Sequence, residues 1–174
     1  MTKYFRRKLL KFFVYAVIVF LSYIIQSTPG ILEFQGISPI LVLPACICLA
    51  IYEGEFAGGI FGFFAGLFCD STAETIFGFN ALMYLVFCTF AGLFAIYLFR
   101  RSTMNVMLVC LMAAFMRALL EFFFVFVLYG YEELSGFFYL EIAPQAVYTS
   151  LFSLPYCMLF RWLHGKLEPE EARE

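Results

Sequence analysis

Charged residues are scarce in this sequence: Asp, Glu, Lys and Arg together make up 14% of its 174 residues, roughly half the share usual in a soluble domain. Hydrophobic residues make up 64%, and the mean hydropathy is +0.91. A soluble protein of this length has too much surface to be so apolar, so lipid has to cover part of it. We therefore expect a single transmembrane domain over residues 1–174, with a basic cytoplasmic head at 1–8 and a polar cytoplasmic tail at 164–174.

The residue patterns of catalytic and metal sites are also missing. One histidine, His164, excludes a two-histidine metalloprotease motif and is expected to have only an interfacial role. No Gly-x-Ser-x-Gly and no phosphate-binding glycine loop followed by Lys is present. The six cysteines lie in apolar segments and are expected to be small apolar side chains on helix surfaces. We expect no enzymatic activity, no cofactor and no metal site. The basic amino terminus suits anionic lipid headgroups rather than nucleic acid.

Apolar segments of nearly membrane-spanning length make up most of the chain. A helix needs about 20 apolar residues to cross about 30 Å of hydrocarbon. Six segments stand out: 9–26, 38–52, 56–69, 78–99, 104–128 and 142–163. They predict an all-α fold, a polytopic membrane bundle of about six transmembrane helices. The second and third segments are short, so they either thin the bilayer locally or form a re-entrant hairpin.

The distribution of basic residues predicts the orientation. With the amino terminus in the cytoplasm, ten basic residues fall on the cytoplasmic side and none in an outer loop. These ten are Lys3, Arg6, Arg7, Lys8, Lys11, Arg100, Arg101, Arg161, Lys166 and Arg173. Only Arg117 lies within a span. We expect a multi-pass protein of the bacterial cytoplasmic membrane with both termini in the cytoplasm.

The third segment carries a glycine at every fourth position. The series is Gly54, Gly58, Gly62 and Gly66, and Asp70 continues it. Residues four apart lie on one helix face, and the stripe slants by about 40° per step. Helix backbones approach closely where side chains are absent. The stripe predicts a packing face, used either within the chain, which is the commoner case, or against another membrane protein.

Three charged residues in the apolar segments are candidates for structural polar roles. Asp70 lies one turn before Glu74, but we expect Asp70 to accept backbone N–H groups of the loop ahead of Gly78 rather than to act as an acid or a cation ligand. Arg117 and Glu121 lie near the middle of the fifth segment, at a spacing that allows pairing. A charge at that depth is costly unless paired. The pattern predicts an ion pair inside the bundle or, alternatively, a polar contact with a partner helix or a ligand.

The run at 58–82 resembles the rod shape-determining protein MreD family. The family pattern there is Gly-Phe-x-x-Gly-Leu-x-x-Asp on a glycine-rich helix, a short loop, and a Gly followed by a small-apolar pair. The residues that fit it are Gly62, Phe63, Gly66, Leu67, Asp70, Gly78, Ala81 and Leu82. An early proline of the second segment is present as Pro39, although Ile40 replaces the Asn that often follows it. Residues 144–148 and 154–155 also resemble the last helix of the family.

The resemblance implies a non-catalytic scaffold of the bacterial cell-wall elongation machinery. The partners it implies are MreC, RodA, a class B penicillin-binding transpeptidase and MreB filaments. The implied fold resembles the substrate-binding subunits of energy-coupling-factor vitamin transporters, so such a subunit is the alternative. Those subunits typically carry Ala-x-x-x-Ala in the first helix, whereas here Phe20 follows Ala16 after four residues. A small intramembrane enzyme is a third class and has the least support.

Overall fold

Six α-helices follow one another along the part of the chain that the structure describes. The computed structural model describes residues 2–28, 30, 32, 37–72, 77–97, 103–129 and 143–167, with backbone only at 2–5, 125–129, 143 and 167. The helices are α1 (Thr2–Ser27), α2 (Val42–Glu53), α3 (Glu55–Asp70), α4 (Phe79–Tyr97), α5 (Thr103–Tyr129) and α6 (Ala143–Leu167). The predicted all-α class is confirmed. Three stretches, Arg6–Ser27, Phe79–Tyr97 and Thr103–Phe124, are long and apolar enough to cross a membrane.

Helix α2 lies at the centre of the bundle. It contacts all five other helices, and every residue from Val42 to Tyr52 is buried. Its 12 residues make about 18 Å of helix, well short of the hydrocarbon thickness. Because protein rather than lipid surrounds α2, its length does not have to match the bilayer. Enclosure on all sides also explains why its sequence is uniformly apolar instead of amphipathic.

Polar side chains from neighbouring helices hold the beginning of α2. The helix begins at Val42, four residues later than the predicted segment, and Pro44 is tolerated because it lies in the first turn. The Val42 N–H donates to Gln26 Oε1 of α1 at 3.1 Å, and the Ile40 N–H donates to Thr149 Oγ1 of α6 at 3.0 Å. These bonds satisfy backbone donors that have no partner within the helix.

One residue, Gly54, separates α2 from α3. Its φ of +96° lies in the left-handed region, which side chains disfavour and glycine adopts freely. Its N–H donates to the Ala50 carbonyl at 2.9 Å and closes α2. The chain therefore reverses within a single residue, and α3 returns along α2 towards the opposite end of the bundle.

The outer surface of the bundle is apolar along most of its helices. Large side chains that are at least half exposed occur on α1, α3, α4, α5 and α6. Examples are Phe13, Phe64, Phe90, Met112 and Val147. The six cysteines, in contrast, are all buried and free. An apolar exterior around a bundle with long apolar helices identifies a membrane protein.

Candidate functional site

The glycines of α3 bring this helix into backbone contact with its neighbours. A Cβ on Gly58 would collide with the Cα and Cβ atoms of Ala50 in α2. A Cβ on Gly62 would lie 2.7 Å from the Tyr84 carbonyl oxygen of α4. A Cβ on Gly66 would collide with the backbone of Ala81, also in α4. These three glycines therefore face the interior of the same chain.

Two further glycines complete the contact between α3 and α4, and the predicted member Gly54 lies in the turn beside it. Gly92 of α4 lies against the backbone of Glu55, and Gly59 lies against the Thr89 hydroxyl. Gly54 lies in the turn before α3, where its positive φ serves the turn and a Cβ would meet no atom within 4 Å. Its carbonyl carbon nevertheless lies 3.0 Å from the position that a Cβ on Gly92 would take, so its backbone borders the contact with α4. Gly92 was missed because it is isolated in its helix and belongs to no stripe.

The close approach of α3 places Asp70 at the beginning of α4. Its Oδ2 accepts the N–H groups of Gly78 at 3.1 Å and Ala81 at 3.0 Å. Its Oδ1 accepts the backbone N–H and the side-chain amide of Asn80, both at 3.0 Å. A carboxylate at a helix amino terminus is favoured by the helix dipole and by charge-assisted hydrogen bonds. Four donors on two oxygens leave Asp70, which is 4% exposed, fully used as an acceptor.

The Asn80 side chain connects Asp70 to α5. Its Oδ1 accepts from Arg117 Nε at 3.1 Å and from Arg117 Nη2 at 3.0 Å. Arg117 Nη1 lies 3.0 Å from Glu121 Oε2. Asp70, Asn80, Arg117 and Glu121, here called the Asp70 network, thus join three helices through side chains. Exposure rises along the network, from 1% for Asn80 to 12% and 33% for the side chains of Arg117 and Glu121.

The network lies towards one end of the bundle. Asn80 is in the first turn of α4, and Asp70 is the last residue of α3. Glu121 is about 27 Å along α5 from Thr103. The contact with Asn80 therefore brings the Arg117–Glu121 pair, in the middle of α5, level with the beginning of α4.

The geometry suits a structural role better than chemistry. Each Asp70 oxygen accepts two hydrogen bonds, and the Asn80 side-chain oxygen accepts two from Arg117. Across the described residues, no group of three or more His, Cys, Asp or Glu side chains is placed to hold a metal ion. Glu74 and the loop acids Glu132, Glu133 and Glu141 lie outside the described residues.

A second polar cluster, at the opposite end of α3, was not predicted. Glu53 Oε1 accepts from Lys11 Nζ at 2.6 Å, from the Tyr15 hydroxyl at 2.8 Å and from His164 Nδ1 at 2.9 Å. Lys11, Tyr15, Glu53 and His164, here called the Glu53 cluster, join α1, α2 and α6. Lys11, expected among the headgroup-facing basic residues, is 7% exposed. His164 is likewise an interior partner of Glu53 rather than a purely interfacial side chain.

Comparison with known protein families decides the identity of the chain. The family model described as rod shape-determining protein MreD matches residues 6–167. This chain belongs to the MreD family. No curated protein and no solved structure matches it. The resemblance seen at 58–82 is thereby confirmed, and it extends over nearly the whole chain.

Several residues of the MreD pattern make contacts between α3 and α4 in this structure. Gly66 and Ala81 are the points where α3 and α4 touch. Asp70 binds the N–H groups of Gly78 and Ala81. In this MreD family member, five of the residues that carry the resemblance therefore join α3 to α4: Gly62, Gly66, Asp70, Gly78 and Ala81.

Arg117 lies between Asn80 and Glu121 in the network, and this position predicts the outcome of a double-mutant cycle. Arg117→Leu leaves both Asn80 Oδ1 and Glu121 without their donor, whereas Glu121→Leu leaves Arg117 bonded to Asn80. We expect Arg117→Leu to lower membrane accumulation and melting temperature more than Glu121→Leu. The double variant should lie between the two, with a coupling of about 0.5–3 kcal/mol, as is typical of contacting residues. A loss in the double variant equal to the sum of the two single losses would show that the two residues act independently.

Proposed function

We propose that this MreD family member is a non-enzymatic scaffold of the bacterial cell-wall elongation machinery. The observation that carries the proposal is the family match over residues 6–167, because that family determines rod shape. The proposed partners are MreC, RodA and a class B penicillin-binding transpeptidase, together with MreB filaments. The packing face of α3 and the polar residues Asp70, Arg117 and Glu121 would act by holding the shape that these partners recognise.

The distribution of polar and apolar groups supports a scaffold. The Asp70 network and the Glu53 cluster direct their hydrogen bonds inwards, to other residues of the chain. The apolar faces of the helices, in contrast, are open. In a bilayer such faces associate by van der Waals packing, without the hydrophobic drive available in water. A rigid bundle with open apolar faces is suited to holding the membrane helices of several partners at once.

The proposed orientation places both termini in the cytoplasm and the six helices in the cytoplasmic membrane. Because all six native cysteines are buried, single cysteines added outside the helices can be labelled selectively. In intact cells, Thr28→Cys should react with a membrane-impermeant maleimide, whereas Ser102→Cys and Glu168→Cys should react only after the membrane is permeabilised. The unmodified chain is the control for background labelling. Labelling of position 102 or 168 from outside would overturn the orientation.

Depletion in the native bacterium tests the scaffold itself. Loss of the protein should turn rods into round cells, and restoring the wild-type chain should recover both rod shape and co-purification of MreC. Arg117→Leu tests whether a folded bundle is sufficient for function. If the variant accumulates in the membrane, its ability to restore rod shape reports on activity rather than on folding. Unchanged shape on depletion, together with tight binding of a vitamin-like small molecule by the purified chain, would favour a transporter subunit instead.

A further inference from the structure

A slot between α1 and α3 opens towards the outside of the bundle. It has a volume of about 340 Å³, and every side chain that lines it is apolar. Ala16, Val19 and Phe20 form the α1 wall, and Ile60, Phe64 and Phe68 belong to the α3 wall. In a membrane protein such an opening faces hydrocarbon, so its occupant has to be apolar as well.

Aromatic pairs lie at both ends of the slot. Phe12 stacks on Phe61 at one end, with ring centroids 6.0 Å apart and an interplanar angle of 17°. Phe20 meets Phe68 edge to face at the other end, also at 6.0 Å. The wall from Ile60 to Phe68 is only about 12 Å long. A partner helix crossing about 30 Å of hydrocarbon needs a longer continuous groove, whereas a narrow flexible chain fits a short slot.

Basic residues stand at one mouth of the slot. Lys8 lies one turn before Phe12 on the same face of α1, and Arg6, Arg7 and Lys8 are all exposed. Glu55 is the one acid at this end of the α3 wall, so positive charge predominates. Along α1, the distance from Lys8 to Phe20 is about 18 Å. This distance is close to the thickness of one leaflet, about half of a 30 Å hydrocarbon core.

We propose that this slot binds one acyl chain of an anionic phospholipid, with the headgroup on Lys8 and the chain running between Ala16 and Phe64 towards Phe20. The distance from Lys8 to Phe20 is close to the reach of a lipid chain within one leaflet, and the positive mouth selects the charge of the headgroup. The assignment to the cytoplasmic leaflet rests on the proposed orientation. The slot and its basic mouth do not depend on the proposed scaffold function.

Fluorescence quenching by brominated lipids tests the slot directly. The only tryptophan of the chain, Trp162, is on α6, so Trp162→Phe gives a silent background. Phe64→Trp places a reporter in the slot, and Phe90→Trp places a matched reporter on α4, where the side chain is 56% exposed. Each full-length variant is reconstituted in phosphatidylcholine bilayers that contain either brominated phosphatidylglycerol or brominated phosphatidylcholine.

At position 64, phosphatidylglycerol should bind about fivefold more tightly than phosphatidylcholine, the ratio that corresponds to about 1 kcal/mol for one basic residue near an anionic lipid. Lys8→Gln should abolish this preference, and Ala16→Leu should reduce quenching by filling the slot. At position 90, the two lipids should quench equally.

If Phe64→Trp does not fold, Phe20→Trp reports on the same slot. Equal quenching by both lipids in the slot, or the same preference at both reporters, would overturn the proposal. These quenching results are independent of the cell shape expected on depletion, so failure of this proposal can be told apart from failure of the proposed scaffold function.

Discussion

Replacing Asp70 with alanine is expected to separate the end of α3 from the beginning of α4. The carboxylate accepts three backbone N–H groups and one amide N–H in a buried site. Each buried donor left without a partner costs about 1–3 kcal/mol, so several kcal/mol of stability would be lost. Asn80 would also lose the bond that orients it towards Arg117. We expect little folded Asp70→Ala protein in membranes, measured by fluorescence-detected size exclusion in mild detergent.

A matched control for Asp70 is available at the other end of the same helix. Glu55 is the acidic residue in the first turn of α3, and Glu55→Ala removes a charge of the same sign. We expect Glu55→Ala to accumulate almost normally, with a melting temperature close to that of the wild type. If Asp70→Ala were as stable as Glu55→Ala, the hydrogen bonds of Asp70 would contribute nothing to the fold.

Adding a single methyl group at Gly66 is expected to be nearly as damaging. The new Cβ would lie 2.6 Å from both the backbone nitrogen of Ala81 and the carbonyl oxygen of Asn80. Backbone atoms cannot rotate away as side chains do, and the Ala81 N–H is also held by Asp70. The two helices would have to move apart, and overpacking alone typically costs about 1–3 kcal/mol. We expect Gly66→Ala to unfold at a lower temperature and to fail to restore rod shape.

The control for this substitution is Gly165→Ala in α6, where a Cβ would meet nothing within 4 Å. In a helix, Ala is favoured over Gly by roughly 0.5–1 kcal/mol, so Gly165→Ala should be neutral or slightly stabilising. The same chemical change is therefore expected to have opposite signs at the two positions. A Gly66→Ala protein that is at least as stable as the wild type would mean that α3 and α4 are not in backbone contact.

The composition and the apolar segments were sufficient to predict an all-α bundle, because lipid and backbone hydrogen bonding leave few alternatives. The position of α2 at the centre was not predictable. Its segment was short, and a short helix in lipid suggested only local thinning of the bilayer or a re-entrant hairpin. A third arrangement, in which the other helices surround it, depends on contacts from all five of them. No local pattern in 38–52 encodes that arrangement.

The candidate site could be anticipated only where the signal was local. The i, i+4 spacing suggested Arg117 and Glu121, and a glycine-rich helix ending in an acid suggested Asp70. Asn80, which joins them, was missed because it is 37 residues from Arg117 along the chain and has an uncharged side chain. The Glu53 cluster was missed for a similar reason. Lys11 and His164 are 153 residues apart, and each looks like an ordinary interfacial residue in its own segment.

The enclosure of α2 has a consequence for the biogenesis of the protein. During synthesis α2 and α3 leave the ribosome before α5 and α6, so the α2 surface that later faces these helices has no partner of its own chain. Thr149 and the Cys157 thiol, which meet Ile40 and Tyr52, come from the last helix to be made. An insertase or a neighbouring lipid has to cover that surface in the meantime. Ribosomes stalled before α6 should therefore hold a chain that cross-links to the insertion machinery through α2, and release should follow once α6 has entered the membrane.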